Sequence, residues 1–569
     1  MKNIIAHKIK HYYTRVGSAI IILSGSTAYA QSALPDLAKP MDIPLILSGN
    51  FGELRSNHFH SGLDFKTQGR TGIPIHAADD GYVSRISVSP WGFGRAVYIT
   101  HPQLGLTTVY GHLDSFSNEI DRIVREKQYE REEFRVDLEF QPGEIPVKRG
   151  QRIALSGNSG SSGGPHLHMD VRDAVSEEAL DPMPYFKKYI NDNVAPQVRS
   201  LALYEVAGEG VVAGANGNSA TRAGENLKKP FTAWGKVIPA IKAYDKMTGT
   251  TNIYGVKHLK LKVDGKEVYS RDIDRFDFAE TRAVNTLVDY AGVVNSGSWM
   301  MWTRRPQSRP LDEMIESDGD GFIDIDEERE YRCEWILTDE HGNTKRQPFT
   351  IIGSPAEISR QSPKGNLMSF EGRNTYSDGN VRVTFPDNTF YDDIYFTMSS
   401  HDVPGYLTPA YDVADKTIPI TGEYTLEIKL TNDTIDDKSK YCLVRINGKR
   451  RSAVDSRYED GVIIGTPSAL GRFAVTTDTT VPSIRAEKPE LWGKRGRVSF
   501  LISDNLSGIK TYRGEIDGRF ALFELDGKTG RLAFRMDPSR FGKGKKHSVR
   551  LTVSDACGNT SEYNGNFTW

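Results

Sequence analysis

Four short landmarks recur in the same order in two distant parts of this 569-residue chain, and that duplication limits its fold more than any single strand-like run. Asp192-Asn193-Val194-Ala195-Pro196 is echoed by Asp478-Thr479-Thr480-Val481-Pro482, and Ala243-Tyr244-Asp245-Lys246-Met247-Thr248-Gly249 by Ile502-Ser503-Asp504-Asn505-Leu506-Ser507-Gly508. Val263-Asp264-Gly265-Lys266 matches Ile516-Asp517-Gly518-Arg519, a two-residue hairpin signal. Asp339-Glu340-His341-Gly342-Asn343-Thr344 matches Asp555-Ala556-Cys557-Gly558-Asn559-Thr560. The order predicts two related β-sandwich modules over 195–355 and 478–569. Residues 356–477 are strand-rich but lack the landmarks, which predicts a third β module of another kind.

A chain of this length should divide into roughly three to five domains. Its 53 Gly, 25 Tyr and 24 Phe favour turn-rich β structure over helical bundles. The 72 basic and 74 acidic residues leave a formal charge of -2, which argues against a dedicated nucleic-acid binder. Residues 1–30 have the pattern of a signal peptide: Lys2, Lys8, Lys10 and Arg15, then the apolar Ala19-Ile20-Ile21-Ile22-Leu23, then Ala28-Tyr29-Ala30. The expectation is an exported protein, periplasmic or secreted, with no transmembrane segment. Cys333, Cys442 and Cys557 are odd in number and widely spaced, so they read as buried thiols rather than a disulfide framework or a cysteine metal site.

Seven of the thirteen histidines lie between 58 and 168. In an extended chain His60, Gly62 and Asp64 share one face, with Gly62 leaving room between an imidazole and a carboxylate; this is a good half-site for zinc. His166-Leu167-His168 again puts two imidazoles on one face, after the small-residue loop Ser156–Pro165 through which a substrate could be approached closely. His112 ends a strand in Tyr110-Gly111-His112-Leu113. Arg95–Thr100 and Thr107–Tyr110 read as strands of a hairpin. Ile120, Ile123 and Val124 suit one face of a short helix, and Phe134, Val136, Leu138 and Phe140 alternate as a half-buried strand. Residues 116–149 therefore look like an insertion in a compact β domain over 41–190.

The His60…Asp64 pair, Tyr-Gly-His at 110–112 and Gly-Pro-His-Leu-His at 164–168 resemble the signature of the lysostaphin/LytM-type zinc metallopeptidases, which are peptidoglycan endopeptidases. The resemblance covers about 41–190, a quarter of the chain. It implies a mainly-β protein, with an antiparallel β-sheet peptidase domain of LytM-like duplicated hybrid motif placed before β-sandwich modules. It also implies one zinc ion held by His60, Asp64 and His168, with a position left for water. His166 would then be the base that takes the water's proton, and His112 the stabiliser of the oxyanion. The implied substrate is a peptide bond in peptidoglycan stems or cross-bridges. Arg55 and Asn57, just before His60, are candidate lining of the substrate cleft. Residues before about 195 are expected to hold zinc without the rest of the chain.

Two weaker signals stand outside that domain. Glu316 to Glu327 spaces its acidic groups much like a Ca²⁺ loop, but the strand-like Tyr331–Leu337 follows where a helix should, so a Gly-rich hairpin accounts for it without calcium. From Arg485 to Arg550 there are sixteen Lys and Arg against eight Asp and Glu, a basic face that could hold an anionic wall or envelope polymer. Two rival readings are an inactive LytM-like regulator of another wall hydrolase, and a surface adhesin working through its sandwiches. The complete set of five polar site positions weighs against both.

Overall fold

The computed structural model describes residues 34–360 and 362–569, so the leader expected at 1–30 lies outside the described residues. Over the described residues the chain is mainly β. In the first domain the strands are β1 (Leu47–Gly49), β2 (Leu63–Lys66), β3 (Pro74–His76), β4 (Gly81–Val88), β5 (Arg95–His101), β6 (Leu106–Gly111) and β7 (Ser115–Phe116). Helix α1 (Asn118–Arg131), β8 (Val136–Glu139), β9 (Arg152–Leu155) and β10 (His166–Asp173) complete it. The main sheet runs β1-β2-β10-β6-β5-β4-β8 and is antiparallel throughout. A small sheet, β3-β9-β7, lies beside it.

Side-chain alternation explains the placement. Leu63 and Phe65 on β2, Val97 and Ile99 on β5, and Leu167, Met169 and Val171 on β10 all point into one core with no exposed surface. The hairpin expected at 95–110 is β5–β6. The expected insertion supplies α1 and β8, and β8 extends the sheet by pairing Val136 and Leu138 with Val88 and Ile86 of β4. Ile120 and Val124 bury one side of α1 on the same core.

The next strands, within 197–353, form a single ten-stranded hydrogen-bonded sheet rather than two separate ones. Its first two long strands are 16 and 14 residues, and the register between them shifts at Glu205/Gly210. A bulged strand of that length bends and can serve both layers of a sandwich. Residues 374–477 contain two five-stranded sheets over one core, and 483–568 two four-stranded sheets over another. The hairpin turns at Asp264-Gly265 and Asp517-Gly518 have positive φ at both residues, as two-residue type I′ turns require. The Glu316–Glu327 segment is built of strands Ile315–Ser317 and Ile323–Ile325, with Asp318 paired to Lys266 and Asp320 to Arg309. Cys333, Cys442 and Cys557 are all buried and free.

The first domain does not stand apart. Ala179–Leu180 pairs with Arg275–Phe276 of the following module, and Phe276 packs on Phe51 and Phe59 at ring separations of 5.3 and 5.1 Å. The last module folds back onto the first domain through Arg95–Glu524 and Arg513–Glu132, both 2.7 Å, and Phe520 against Tyr129.

Candidate functional site

Strand β10 carries His166, His168, Asp170 and Arg172 on the face opposite its core residues. Its register sets His168 directly across from Asp64 on β2 and from Gly111 on β6, so His112 emerges beside it where β6 ends. His60 arrives differently from the extended reading of 60–64: the chain bends at Ser61-Gly62 before β2 begins. A Cβ on Gly62 would lie 2.3 Å from the Met169 carbonyl, so only glycine lets this bend press against β10.

Three atoms converge there. His60 Nε2 lies 3.0 Å from Asp64 Oδ1, His168 Nδ1 lies 2.9 Å from the same oxygen, and the two ring nitrogens are 3.1 Å apart. The far side of each ring is already engaged. His60 Nδ1 donates to the Asn50 carbonyl at 2.6 Å, and His168 Nε2 donates to Asp170 at 2.6 Å. For neutral rings these partners assign tautomers in which both inward nitrogens carry lone pairs. Two ring nitrogens and a carboxylate within 4.8 Å of one another, all buried, form a donor set able to hold a cation between them. Two imidazoles and one carboxylate suit zinc, and three protein ligands leave room for water.

Electrostatics follow from this crowding. Burial works against the Asp64 charge, but His60, His166 and His168 hold its carboxyl well below the usual range. Burial likewise disfavours a charged His168, yet Asp170 raises it to about 9. Asp170, itself fully buried and also bound to Arg172, falls to about 2 despite desolvation, through His168 and Arg172.

The second histidine pair borders the same space. His112 and His166 have ring centroids 4.7 Å apart. His112 Nδ1 donates to the Ser159 carbonyl at 2.9 Å and His166 Nδ1 to the Gly164 carbonyl at 2.8 Å, leaving both Nε2 atoms open. His166 Nε2 is 3.4 Å from Asp64 Oδ1. Desolvation, reinforced by His168 and His166, lowers His112 to about 3. The Ser156–Pro165 loop thus orients both rings through backbone carbonyls. Lys528 of the last module holds that loop by donating to the carbonyls of Asn158 and Ser162.

Arg55 donates to Asp64 Oδ2 at 3.0 Å and to Glu53, so it borders the cluster by touching a candidate ligand. Asn57 sits in the turn of the Leu54–Phe59 hairpin with positive φ, and its side chain accepts from Asn285. Sequence reasoning did not single out Asp170, Asn50 or Phe93, whose ring stacks on His168 at 4.7 Å. Asp170 had a signal, since it continues the 166, 168 alternation onto the same strand face.

The chain carries a peptidase family M23 domain. Residues 58–129 match the model of Peptidase family M23, and residues 365–478 match a Zu5-like domain. A Haemophilus influenzae protein named as an uncharacterized metalloprotease is 33% identical over 124 residues, 22% of this chain and 20% of that protein. The peptidoglycan DD-endopeptidase ShyB of Vibrio cholerae is 33% identical over 124 residues, 22% of each. The solved catalytic domain of lysostaphin from Staphylococcus simulans is 24% identical, with a TM-score of 0.19, covering 25% of this chain and 92% of that one. The chain spans about a fifth of the length of these two curated relatives. The M23 match includes His60, Asp64 and His112, while His166 and His168 lie beyond it and join the others through the β2–β10 pairing.

Proposed function

We propose that this protein is an exported zinc-dependent endopeptidase that hydrolyses peptide bonds in peptidoglycan stems or cross-bridges. The observation that carries the reading is the convergence of His60 Nε2, Asp64 Oδ1 and His168 Nδ1, with both ring tautomers preset by partners on their far sides. The relatives named as a metalloprotease and as a peptidoglycan DD-endopeptidase supply the substrate class. His60, Asp64 and His168 would hold one zinc ion, which supplies a Lewis acid for the scissile carbonyl and for water.

In this reading His166 takes the proton. It is the more open of the outer pair, its Nδ1 is held by Gly164, and a charge gained at Nε2 faces the Asp64 carboxylate. His112 is buried and neutral, and with Nδ1–H committed to Ser159 its Nε2 presents a lone pair. We therefore assign it to accepting a hydrogen bond that orients the attacking water, a different role from the oxyanion stabiliser that the family resemblance implies. Arg55 keeps Asp64 Oδ1 turned inward by occupying Oδ2.

Metal content and muropeptide release test this together. The mature protein should carry one zinc and cleave. His168→Ala should lose the metal, whereas His166→Ala should keep it and lose roughly 10²–10⁴-fold in rate. A zinc-free, inactive wild-type protein would overturn the assignment.

A further inference from the structure

Each of the two duplicated modules begins on a knot of carboxylates. In the first, Asp192 on the connection leaving the M23 domain, Asp245 after strand Phe231–Tyr244 and Asp339 after strand Glu330–Thr338 each bring an oxygen within 4.8 Å of the others. In the last, Asp478, Asp504 and Asp555 do the same. These six are the aspartates of three of the four recurring landmarks, in the same order.

The first knot is deeply buried: Asp192, Asp245 and Asp339 are only 7, 4 and 5% exposed. Among the described residues no Lys, Arg or His forms an ion pair with them. Lys257, a cation nearby, is taken by Asp181 and Asp274 at 2.7 and 2.8 Å and by Glu340. Backbone amides and Asn343 satisfy some of the oxygens, but Asp192 Oδ2 and Asp245 Oδ1 are buried with no hydrogen-bond partner at all. All three residues line a small, partly open space of about 20 Å³, room for an ion or a water. Buried, unpaired carboxylates that stay charged repel strongly and call for a counter-charge; without one they take up protons instead. His341 also lines the space, but its ring is not among the converging atoms, so the donor set is oxygen only.

We propose that Asp192, Asp245 and Asp339 bind a calcium ion where the M23 domain joins the next module, and that Asp478, Asp504 and Asp555 form an equivalent, more open site at the entry to the last module. An all-oxygen set of three carboxylates suits a hard cation that accepts irregular geometry. Magnesium keeps several waters in near-ideal octahedral geometry, a poorer match to three carboxylates crowded within 4.8 Å of one another. The two sites share a frame: the Asn343 side chain ties Asp339 to the Asp192 carbonyl, and Asn559 ties Asp555 to the Asp478 carbonyl. Calcium at these points would lock each connecting segment to the strand ends of the module it enters.

The test uses the full mature chain, with calcium stripped by a chelator that leaves zinc in place and then returned by equilibrium dialysis at millimolar concentration. One calcium ion per site is expected, with a rise in thermal midpoint. Asp245→Asn and Asp504→Asn should each lose one ion while keeping the far-ultraviolet circular dichroism of the wild type. Should Asp245→Asn fail to fold, Asp192→Asn reads the same site. A wild-type protein that binds less than one ion per site, or variants that keep both ions, would overturn the proposal. Zinc content and peptidase activity are read in the same samples, so a failure of the M23 reading is seen separately.

Discussion

Asp170 does for His168 what the Asn50 carbonyl does for His60: it accepts the outward N–H and so aims the other nitrogen at Asp64. Removing its charge while keeping its shape should loosen the metal without touching a ligand. We expect Asp170→Asn to weaken zinc binding by roughly 10–100-fold, measured by competition with a chromogenic chelator; unchanged affinity would rule out this positioning role. The same pair sets a pH dependence. Against desolvation, Asp170 and then Asp64 raise His168 from 6.5 to about 9, so in the metal-free protein its contribution to stability is complete below about 6.5 and is lost as pH rises through about 9. Zinc needs the unprotonated Nδ1, so its binding should release about one proton near neutrality and tighten as pH climbs towards 9. Denaturant midpoints of the metal-free protein and zinc affinity, followed over pH 6–10, should move in opposite directions. His60, Asp64, His112, His166 and His168 were singled out by their spacing and by the family resemblance, and the structure brings their side chains together. Asp170 and Asn50 were not: an aspartate on an alternating strand reads as an outward polar residue, and a backbone carbonyl leaves no mark in the sequence.

At the scale of elements, the strands and helix of the first domain followed from alternation and turn chemistry, whereas the geometry joining them did not. Residues 60–64 alternate as a strand would, yet tertiary packing bends them at Gly62, since β10 must come close enough for His168 to face both Asp64 and His60. A side chain there meets backbone rather than a yielding side chain. Gly62→Ala should therefore cost about 1–3 kcal/mol in unfolding free energy and lower zinc occupancy as well. Denaturant titration with metal analysis checks both, and a variant with wild-type midpoint and full zinc would refute the close-packing argument. The duplicated landmarks likewise predicted strands and turns for 195–355, but not that ten of its strands join in one hydrogen-bonded sheet. That continuity depends on a long strand with a bulge, and a register shift of that kind has no fixed sequence signal.

At the scale of the whole molecule, the His60–Asp64–His168 cluster depends on a module that the sequence alone treats as an attachment. Phe51 and Phe59 bury their rings in the core of the following module, not in that of the first domain. Asn50, whose carbonyl orients His60, has its side chain exchanging hydrogen bonds with Gly255 at 3.0 and 2.9 Å. Phe59 N–H donates to Thr281, and the Tyr254 hydroxyl donates to the Leu47 carbonyl. A chain ending near 195 would lose all of these at once and expose two rings, each worth roughly 1.5–3 kcal/mol of burial. The hairpin 54–59 and the His60 bend would then have no surface to lie on. Such a truncation should aggregate or bind zinc weakly, contrary to the expectation that it stands alone, while a chain ending near 355 should remain monomeric with one zinc. Size-exclusion chromatography with metal analysis on the two truncations separates the cases. A monomeric, fully zinc-loaded 195-residue fragment would mean that the first domain orients His60 unaided, and that the adjoining module only covers its apolar edge.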